Sequence, residues 1–144
     1  MLGDQGPHEG FSNAANKVLS NIDQYIYEHD LSSKAAEGKI KFWIMGHSRA
    51  GATSNLAGKR LTDNYGKDGN KVFCYTFEPP MCADKNNMEL VNEPYTYGGT
   101  YKNIHNIINY ADIVIHIPYV GMDFTRYGLT HYLPGSGEET EQGK

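Results

Sequence analysis

The sequence predicts an α/β fold in which a mainly parallel sheet is flanked by helices. Three apolar segments rich in β-branched and aromatic residues are typical of buried strands, and they lie at residues 40–45, 72–77 and 104–109. Amphipathic helical segments precede the first strand and separate it from the second. Strands that alternate with helices favour parallel pairing, because a parallel connection has to cross the sheet. Since three clear strands are few for such a sheet, we expect the chain to be part of a larger domain.

The composition is that of an ordinary globular domain. The chain has 144 residues, of which 39% are hydrophobic, and a formal net charge of -4, which suits one domain and excludes a disordered acidic tail. The lack of a basic cluster argues against nucleic acid as a partner. Two cysteines are too few for the disulfide framework of a small secreted fold. No segment resembles a signal peptide or an integral membrane span. The localisation is therefore left open: cytoplasmic, or secreted if the chain is truncated at its N-terminus.

The first third of the chain predicts a helix and a strand. Apolar residues recur at helical spacing over residues 12–29, where Ser12 or Asn13 would be the N-cap. A polar linker with a glycine turn follows at residues 31–39. Because the next segment is mostly apolar, we expect its strand to be buried on both faces and to end at Gly46.

The remaining elements follow from the same patterns. Helical spacing returns from Arg49 to about residue 63, so residues 40–63 form a strand, a turn and a helix. The second strand is ended by Pro79 and Pro80. The other expectations are a loop at 64–70, an irregular stretch at 81–102 with one helical turn at 87–91, an extra strand at 129–133 and a disordered polar tail at 135–144.

A signature of nucleophilic chemistry lies where the first strand meets its helix. The residues there are Gly46, His47, Ser48, Arg49, Ala50 and Gly51. A serine held at a tight strand-to-helix turn exposes its hydroxyl at the carboxyl end of the sheet, and small neighbours prevent collisions across the turn. The helix N-terminus favours developing negative charge, and the backbone N–H of Arg49 is placed to donate to an oxyanion.

This motif departs from the G-x-S-x-G pattern at its fifth position. Ala50 stands where the pattern has glycine, and Gly51 follows one residue later. Because alanine is small, we expect the turn to form. The alternative interpretation is that Ser48 only caps the helix, a common role of serine.

Further segments around this motif match a known set of patterns. They are residues 8–11 for H-x-G-F, 75–80 for T-F-G/A-x-P, 106–114 for V-N-x-x-D-x-V-P-x-L-P, and 124–128 for G-F-x-R-Y-G. Together with the turn and helix at 43–56, they resemble the class 3 (fungal-type) lipases of the α/β-hydrolase superfamily, and more closely the bacterial lipase-like relatives. The resemblance covers residues 8 to about 134, in the family's order.

The resemblance implies a partial α/β-hydrolase fold that forms one incomplete domain over residues 1–144. It implies a lipase or carboxylesterase that acts through an acyl-enzyme on Ser48, with Asp112 as the acid that orients the catalytic histidine. The nucleophile elbow is completed by Gly46, His47, Ala50 and Gly51, with the Arg49 N–H as oxyanion donor. The implied partner is a lipid or other ester substrate, met at a lipid interface. No cofactor and no metal are implied.

The base of the triad is the part that the sequence leaves open. Among the six histidines, His131 is the best candidate, because it follows the acid in the order Ser, Asp, His. In the lipases that the sequence resembles, however, the catalytic histidine comes some tens of residues further on. The family's second oxyanion donor, in an R-G-T/S setting, has no counterpart before His8. We therefore expect the base to lie beyond this chain, which alone would be weakly active.

Two other functions remain open from the sequence alone. The domain could be a catalytically inactive relative that binds an apolar ligand or a protein partner. A base within reach of Ser48 would distinguish an active hydrolase from such a relative. An acyltransferase would use the same elbow. The late tyrosines could line an acyl-binding cleft, although covering sheet edges is the commoner role. Cys74 and Cys82 have no CxxC or metal-site spacing, which predicts free thiols.

Overall fold

The computed structural model describes residues 7–66, 71–84, 101–117 and 124–134, and it confirms the predicted α/β fold. The described elements are α1 (Glu9–Glu28), α2 (Ser32–Ala36), β1 (Phe42–His47), α3 (Arg49–Tyr65), β2 (Val72–Phe77), β3 (Ala83–Asp84), β4 (Ile104–Asn109), a 3₁₀ helix (Ile113–His116), β5 (Phe124–Thr125) and β6 (Leu129–Leu133). Most of the loop expected at 64–70, the turn at 87–91 and the tail at 135–144 lie outside the described residues.

A four-stranded parallel sheet forms the centre of the fold. Its strand order is β1-β2-β4-β6, so the extra strand predicted at 129–133 is confirmed. The register places Thr76 beside Gly46 on one side and beside Asn106 on the other. β3 and β5 form a separate antiparallel pair. Because all four strands of the main sheet run in one direction, their carboxyl ends meet at one edge. The residues that follow β1, β2 and β4 therefore lie at the same edge.

The hydrophobic core lies between the sheet and α3, and α1 packs on α3. α3 approaches β2 closely at Gly58, where an added Cβ would lie 2.8 Å from the Cys74 sulfur. The buried cluster consists of Ala15, Ala52, Leu56, Ala57, Cys74, Cys82, Ala83, Tyr101, Ile104 and Tyr127. Several of these residues are small, which lets the helices lie near the strands.

The side chains of β1 on the opposite face of the sheet are exposed, so the prediction that the first strand is buried on both faces was wrong. Trp43 and Met45 are 64% and 61% exposed, whereas Ile44 between them packs on the core. A row of stacked rings across this face is formed by Trp43, Phe73, Tyr75, His105 and His131. An apolar run cannot by itself distinguish one buried face from two, because the element that covers each face is remote in sequence.

Local boundaries also differ from the sequence-based expectations. α1 begins earlier than predicted, with His8 at its N-cap rather than Ser12 or Asn13. The His8 N–H donates to the Cys82 carbonyl at 3.0 Å, a contact between distant segments that the local sequence does not reveal. Gly46 does not end β1, because it still pairs with β2. The short helix α2 forms inside the predicted linker.

Buried asparagines tie α3 to the strands. Asn55 Nδ2 donates to Asn106 Oδ1 at 2.9 Å and to the Tyr127 carbonyl at 2.9 Å. Asn55 Oδ1 accepts from the Tyr127 N–H at 3.0 Å, and the Thr76 hydroxyl donates to Asn106 Oδ1 at 2.6 Å. Buried polar groups that are satisfied in this way specify one arrangement, because any other would leave them without partners.

Candidate active site

Ser48 occupies a strained turn between β1 and α3. Its backbone dihedral angles are φ 53° and ψ -124°, a conformation that residues other than glycine rarely adopt. The Ser48 N–H donates to the Phe77 carbonyl at 2.8 Å, and the Ser48 carbonyl accepts from the Ala52 N–H at 3.2 Å. One hydrogen bond links Ser48 to the neighbouring strand and the other links it to the helix, so the surrounding structure stabilises the strained backbone conformation. A nucleophile elbow requires a strained turn of this kind between a strand and a helix.

The Ser48 side chain does not cap the helix. Ser48 stands at the N-cap position of α3, yet its hydroxyl makes no capping hydrogen bond. The alternative of a simple capping serine is therefore not what the geometry supports. α3 begins at Arg49, and the N–H groups in the first turn of a helix have no partner within the helix. The Arg49 N–H and the helix dipole can thus both stabilise negative charge that develops beside the hydroxyl.

Two glycines let the strand and the helix meet at this turn. A Cβ at Gly46 would lie 2.3 Å from the Ala50 carbonyl oxygen and 2.6 Å from the Ser54 hydroxyl oxygen. A Cβ at Gly51 would lie 3.1 Å from the Gly46 carbonyl oxygen. Ala50, which replaces the glycine of the usual pattern, is exposed, so its methyl group fits and the turn forms with alanine there.

Asp112 lies after β4, at the same edge of the sheet. Its Oδ1 accepts from the Val114 N–H at 2.9 Å and so caps the 3₁₀ helix. The Asp112 N–H donates to the Asn109 carbonyl at 3.0 Å. Among the described residues Asp112 Oδ2 has no hydrogen-bond partner, and a carboxylate oxygen can accept from the N–H of an imidazole.

Glu78 is a residue at this edge that the sequence patterns did not single out. It directly follows β2 and has a φ of 49°. Both of its carboxylate oxygens accept from the Asn109 N–H, at 2.8 and 3.0 Å. The signal in the sequence was a charged residue in the strand end Thr76-Phe77-Glu78-Pro79, where the pattern quoted above has glycine or alanine.

Arg126 links the segments that follow β2 and β4. Its Nε donates to the Pro79 carbonyl at 2.7 Å, and its guanidinium also donates to the Ile115 carbonyl. Burial lowers the pKa of Arg126, while the nearby groups Cys82, Tyr132 and Glu78 oppose that shift. Arg126 therefore holds the turn after Glu78 against the 3₁₀ helix that begins beside Asp112.

The structure does not bring His131 to Ser48. His131 lies on β6, which is three strand positions away from β1 in the sheet, a separation of roughly 14 Å at about 4.8 Å per strand. The Nε2 atom of His131 is instead hydrogen-bonded to His105 Nδ1 at 2.9 Å. All six histidines lie in the described part of the chain, and within it none is hydrogen-bonded to Ser48 or to Asp112.

The other histidines and the late tyrosines have varied surroundings. His8 packs against Phe11, His29 stacks on Tyr25, His47 is exposed on β1, and His116 contacts Tyr110. Tyr101 and Tyr127 lie in the core, Tyr110 and Tyr132 are exposed, and Tyr95, Tyr97 and Tyr119 are outside the described residues. The described tyrosines thus divide between core and surface, and a tyrosine-lined acyl cleft stays a prediction.

The two cysteines are free and buried, which confirms the predicted free thiols. Burial raises the pKa of both Cys74 and Cys82 to about 12, so neither thiol is a nucleophile near neutral pH. Within the four described ranges, no group of three or more His, Cys, Asp or Glu side chains could hold a metal ion. None of the described helices is both long and apolar enough to cross a membrane.

Known proteins resemble the chain both in sequence and in fold. The family model described as Lipase (class 3) matches residues 4–122. The chain is similar to the triacylglyceride lipase of Rhizomucor miehei, with 21% identity and a TM-score of 0.60, over 90% of this chain and 46% of that one. It is similar to lipase II of Rhizopus niveus, with 20% identity and a TM-score of 0.64, over 90% of this chain and 45% of that one.

The catalytic centre of a third similar structure has been described. It is a triacylglycerol lipase whose catalytic centre is formed by a serine protease triad, with 20% identity and a TM-score of 0.60, over 90% of this chain and 45% of that one. Likeness at this level of identity shows a shared fold. The chain spans less than half the length of these lipases. No curated protein sequence matches it.

Proposed function

The chain belongs to the class 3 lipase family, and we propose that it carries the nucleophile and the acid of a serine hydrolase that cleaves lipid esters. The observation that carries the proposal is the strained turn at Ser48, where the hydroxyl makes no bond to the helix that it precedes. A lipase of the same fold has a catalytic centre formed by a serine protease triad, and a serine at such a turn suits that chemistry.

The proposed reaction has two steps. Ser48 Oγ attacks the ester carbonyl carbon while a histidine base takes the hydroxyl proton. The Arg49 N–H donates to the resulting oxyanion, and the bond to the alcohol breaks as the base returns the proton to the leaving oxygen. Water then hydrolyses the acyl-enzyme with the same base. Asp112 holds the imidazole in the correct tautomer and stabilises its charged form.

The base is proposed to come from outside these 144 residues. His131 is three strand positions from the elbow and is bonded to His105. A base has to lie within about 3 Å of the serine oxygen, and a rotamer change cannot span roughly 14 Å. A serine without a base is a weak nucleophile, so the chain by itself is expected to react slowly.

The surroundings of Asp112 favour an apolar substrate. Ile113, the first residue of the 3₁₀ helix, and Ile117, at its C-cap, both follow the acid and are 75% and 51% exposed, and Tyr110 before the acid is also exposed. Exposed apolar side chains beside a reactive group are suited to contact with an acyl chain or a lipid surface. The similar Rhizomucor miehei protein is a triacylglyceride lipase, which agrees with a lipid ester as the substrate class.

The decisive experiment is covalent labelling of Ser48 by a fluorophosphonate, with imidazole added as an external base. Intact and peptide mass spectrometry would measure the labelling rate, and circular dichroism would confirm folding. We expect imidazole to accelerate labelling at Ser48, and Ser48→Ala to abolish it. Asp112→Asn should slow the imidazole-dependent reaction by about tenfold or more, because the acid orients the base. Ser33→Ala, on an exposed serine of α2, is the matched control and should change nothing.

His131→Asn decides the position of the base. It should leave the labelling rate unchanged, since His131 is bonded away from the elbow. Loss of labelling in this variant would instead make His131 the base. A folded chain that stays unlabelled at Ser48 in saturating imidazole would contradict the hydrolase proposal and favour a binding domain.

A further inference from the structure

We propose that Glu78 is a positioning residue of this site, whose carboxylate holds the turn that carries Asp112 in place relative to the Ser48 elbow. The inference rests on the proposed function and adds a residue to the same site. Glu78 acts through Asp112, so it is not expected to touch the substrate.

The backbone of Glu78 is strained, as that of Ser48 is. Among the described residues, only Asp30, Ser48 and Glu78 combine a positive φ with a side chain, and the last two lie at the carboxyl edge of the sheet. The family pattern has glycine or alanine at this position, and glycine accepts a positive φ without steric conflict. A glutamate at such a position persists when its surroundings over-determine the conformation.

The main chain around Glu78 joins the elbow to β4. The carbonyl of Phe77, in the peptide bond that links it to Glu78, accepts from the Ser48 N–H at 2.8 Å. The Glu78 N–H donates to the Ile107 carbonyl at 2.9 Å. One peptide unit therefore fixes the nucleophile on one side and the third strand of the sheet on the other.

The carboxylate continues this connection to the acid. Both Oε atoms accept from the Asn109 N–H, at 2.8 and 3.0 Å. Asn109 in turn accepts from the Asp112 N–H at its carbonyl, at 3.0 Å, and from the Ala111 N–H at its side chain, at 3.1 Å. A hydrogen bond to an ionised acceptor is stronger than a neutral one, so the carboxylate anchors the residue from which the Asp112 turn starts.

Arg126 supports the same arrangement from a second direction. It donates to the carbonyls of Pro79 and Ile115, which follow Glu78 and Asp112 respectively. Burial disfavours the charged guanidinium, and the Glu78 carboxylate is among the groups that favour it. The two segments are thus tied by a carboxylate at one point and by a cation at another, which leaves little freedom in the distance from the elbow to the acid.

The test compares three substitutions at position 78 by two independent measurements on the site and, for the glycine variant, by the thermal midpoint as well. The first is amide hydrogen exchange of residues 109–114, and the second is the imidazole-assisted labelling rate of Ser48. For Glu78→Ala we expect the Asn109 amide to exchange at least about tenfold faster, because its acceptor is gone. Labelling should fall by about 10- to 100-fold, since a displacement near 1 Å costs on that order. Glu78→Gln keeps one acceptor oxygen and should stay within about threefold of the parent rate.

Glu78→Gly separates positioning from general stability. Glycine relieves the positive φ, so the thermal midpoint should be unchanged or higher, while labelling should fall as in the alanine variant. A merely structural role would instead lower the thermal midpoint and the labelling rate together. Glu37→Ala, on an exposed glutamate after α2, is the control and should leave exchange and labelling unchanged.

The outcomes distinguish this inference from the proposed function. Unchanged exchange at Asn109 in Glu78→Ala, or full labelling in Glu78→Gly, would overturn the role of Glu78 even if the parent chain reacts. If the folded parent chain does not react at all, the proposed function fails. The exchange measurement then decides by itself whether Glu78 holds the turn of Asp112.

Discussion

A methyl group added at position 46 would collide with the start of α3. In Gly46→Ala, the new Cβ would lie 2.3 Å from the Ala50 carbonyl oxygen, 2.5 Å from the Ala50 carbonyl carbon and 2.6 Å from the Ser54 hydroxyl oxygen. Contacts between non-bonded heavy atoms are normally about 3.5 Å, so the first turn of α3 has to move by about 1 Å. Two of the three atoms are backbone and cannot rotate away.

This displacement sets the expected cost. Overpacking a tight site costs typically about 1–3 kcal/mol, and a collision with helix backbone belongs at the upper end, about 3 kcal/mol. For a chain of this size that loss lowers the thermal midpoint by roughly 10 °C. Because Ser48 lies between the two elements that are pushed apart, its imidazole-assisted labelling should also fall by about 100-fold.

Gly10→Ala is the matched control for this prediction. A Cβ at Gly10 would meet its nearest neighbour, His8 Cε1, at 3.6 Å, an ordinary contact. Gly10 lies within α1, where alanine is favoured over glycine by about 0.5–1 kcal/mol, so this variant should be slightly more stable. Thermal and urea unfolding followed by circular dichroism would measure both variants. A Gly46→Ala chain that unfolds within about 2 °C of the parent and labels fully would show that close packing at this glycine does not shape the turn at Ser48.

Three further predictions concern the core and the exposed face. Asn55→Ala should lower the free energy of unfolding, measured in urea, by about 3 kcal/mol or more, because buried groups of Tyr127 and β4 lose their hydrogen-bond partner. The control Asn64→Ala, on the exposed side of α3, should change the free energy of unfolding by less than about 0.5 kcal/mol. The two buried cysteines should resist a thiol reagent at pH 8 until the chain unfolds, since burial raises their pKa to about 12; rapid native modification would contradict this. Burial lowers the pKa of His105, and the charge of His131 lowers it further. The unfolded chain therefore binds a proton at His105 more readily than the folded chain does, and the stability should fall as the pH drops below about 6.5. His131→Asn should weaken that dependence in thermal midpoints measured from pH 5 to 7, and an unaltered profile would count against the pairing.

The elements that the sequence predicted well are those decided by neighbouring residues. The strands at 72–77 and 104–109 and the helix from Arg49 follow from local patterns of apolar and polar side chains. The start of α1 was misplaced, because its position depends on a bond from His8 to Cys82. These two residues are far apart along the chain, so no local pattern could reveal the contact.

The candidate site divides in the same way. The turn at Ser48 was predictable, because a glycine-flanked serine between a strand and a helix is a local signature. Asp112 was predicted from a family resemblance and from its place after a strand. Glu78 was missed, because its partner is Asn109, 31 residues later in the chain.

Local side-chain spacing was enough to predict β2, β4 and α3 and to identify the serine at the strained turn. The tertiary structure was needed to show that His131 is bonded to His105 and lies away from Ser48, that the outer side chains of β1 are exposed, and that the Glu78 carboxylate accepts from the Asn109 N–H. Element type depends on side-chain spacing over a few residues. Strand order and contacts at the ends of strands depend on pairings between distant segments, whose energies no short stretch of sequence contains.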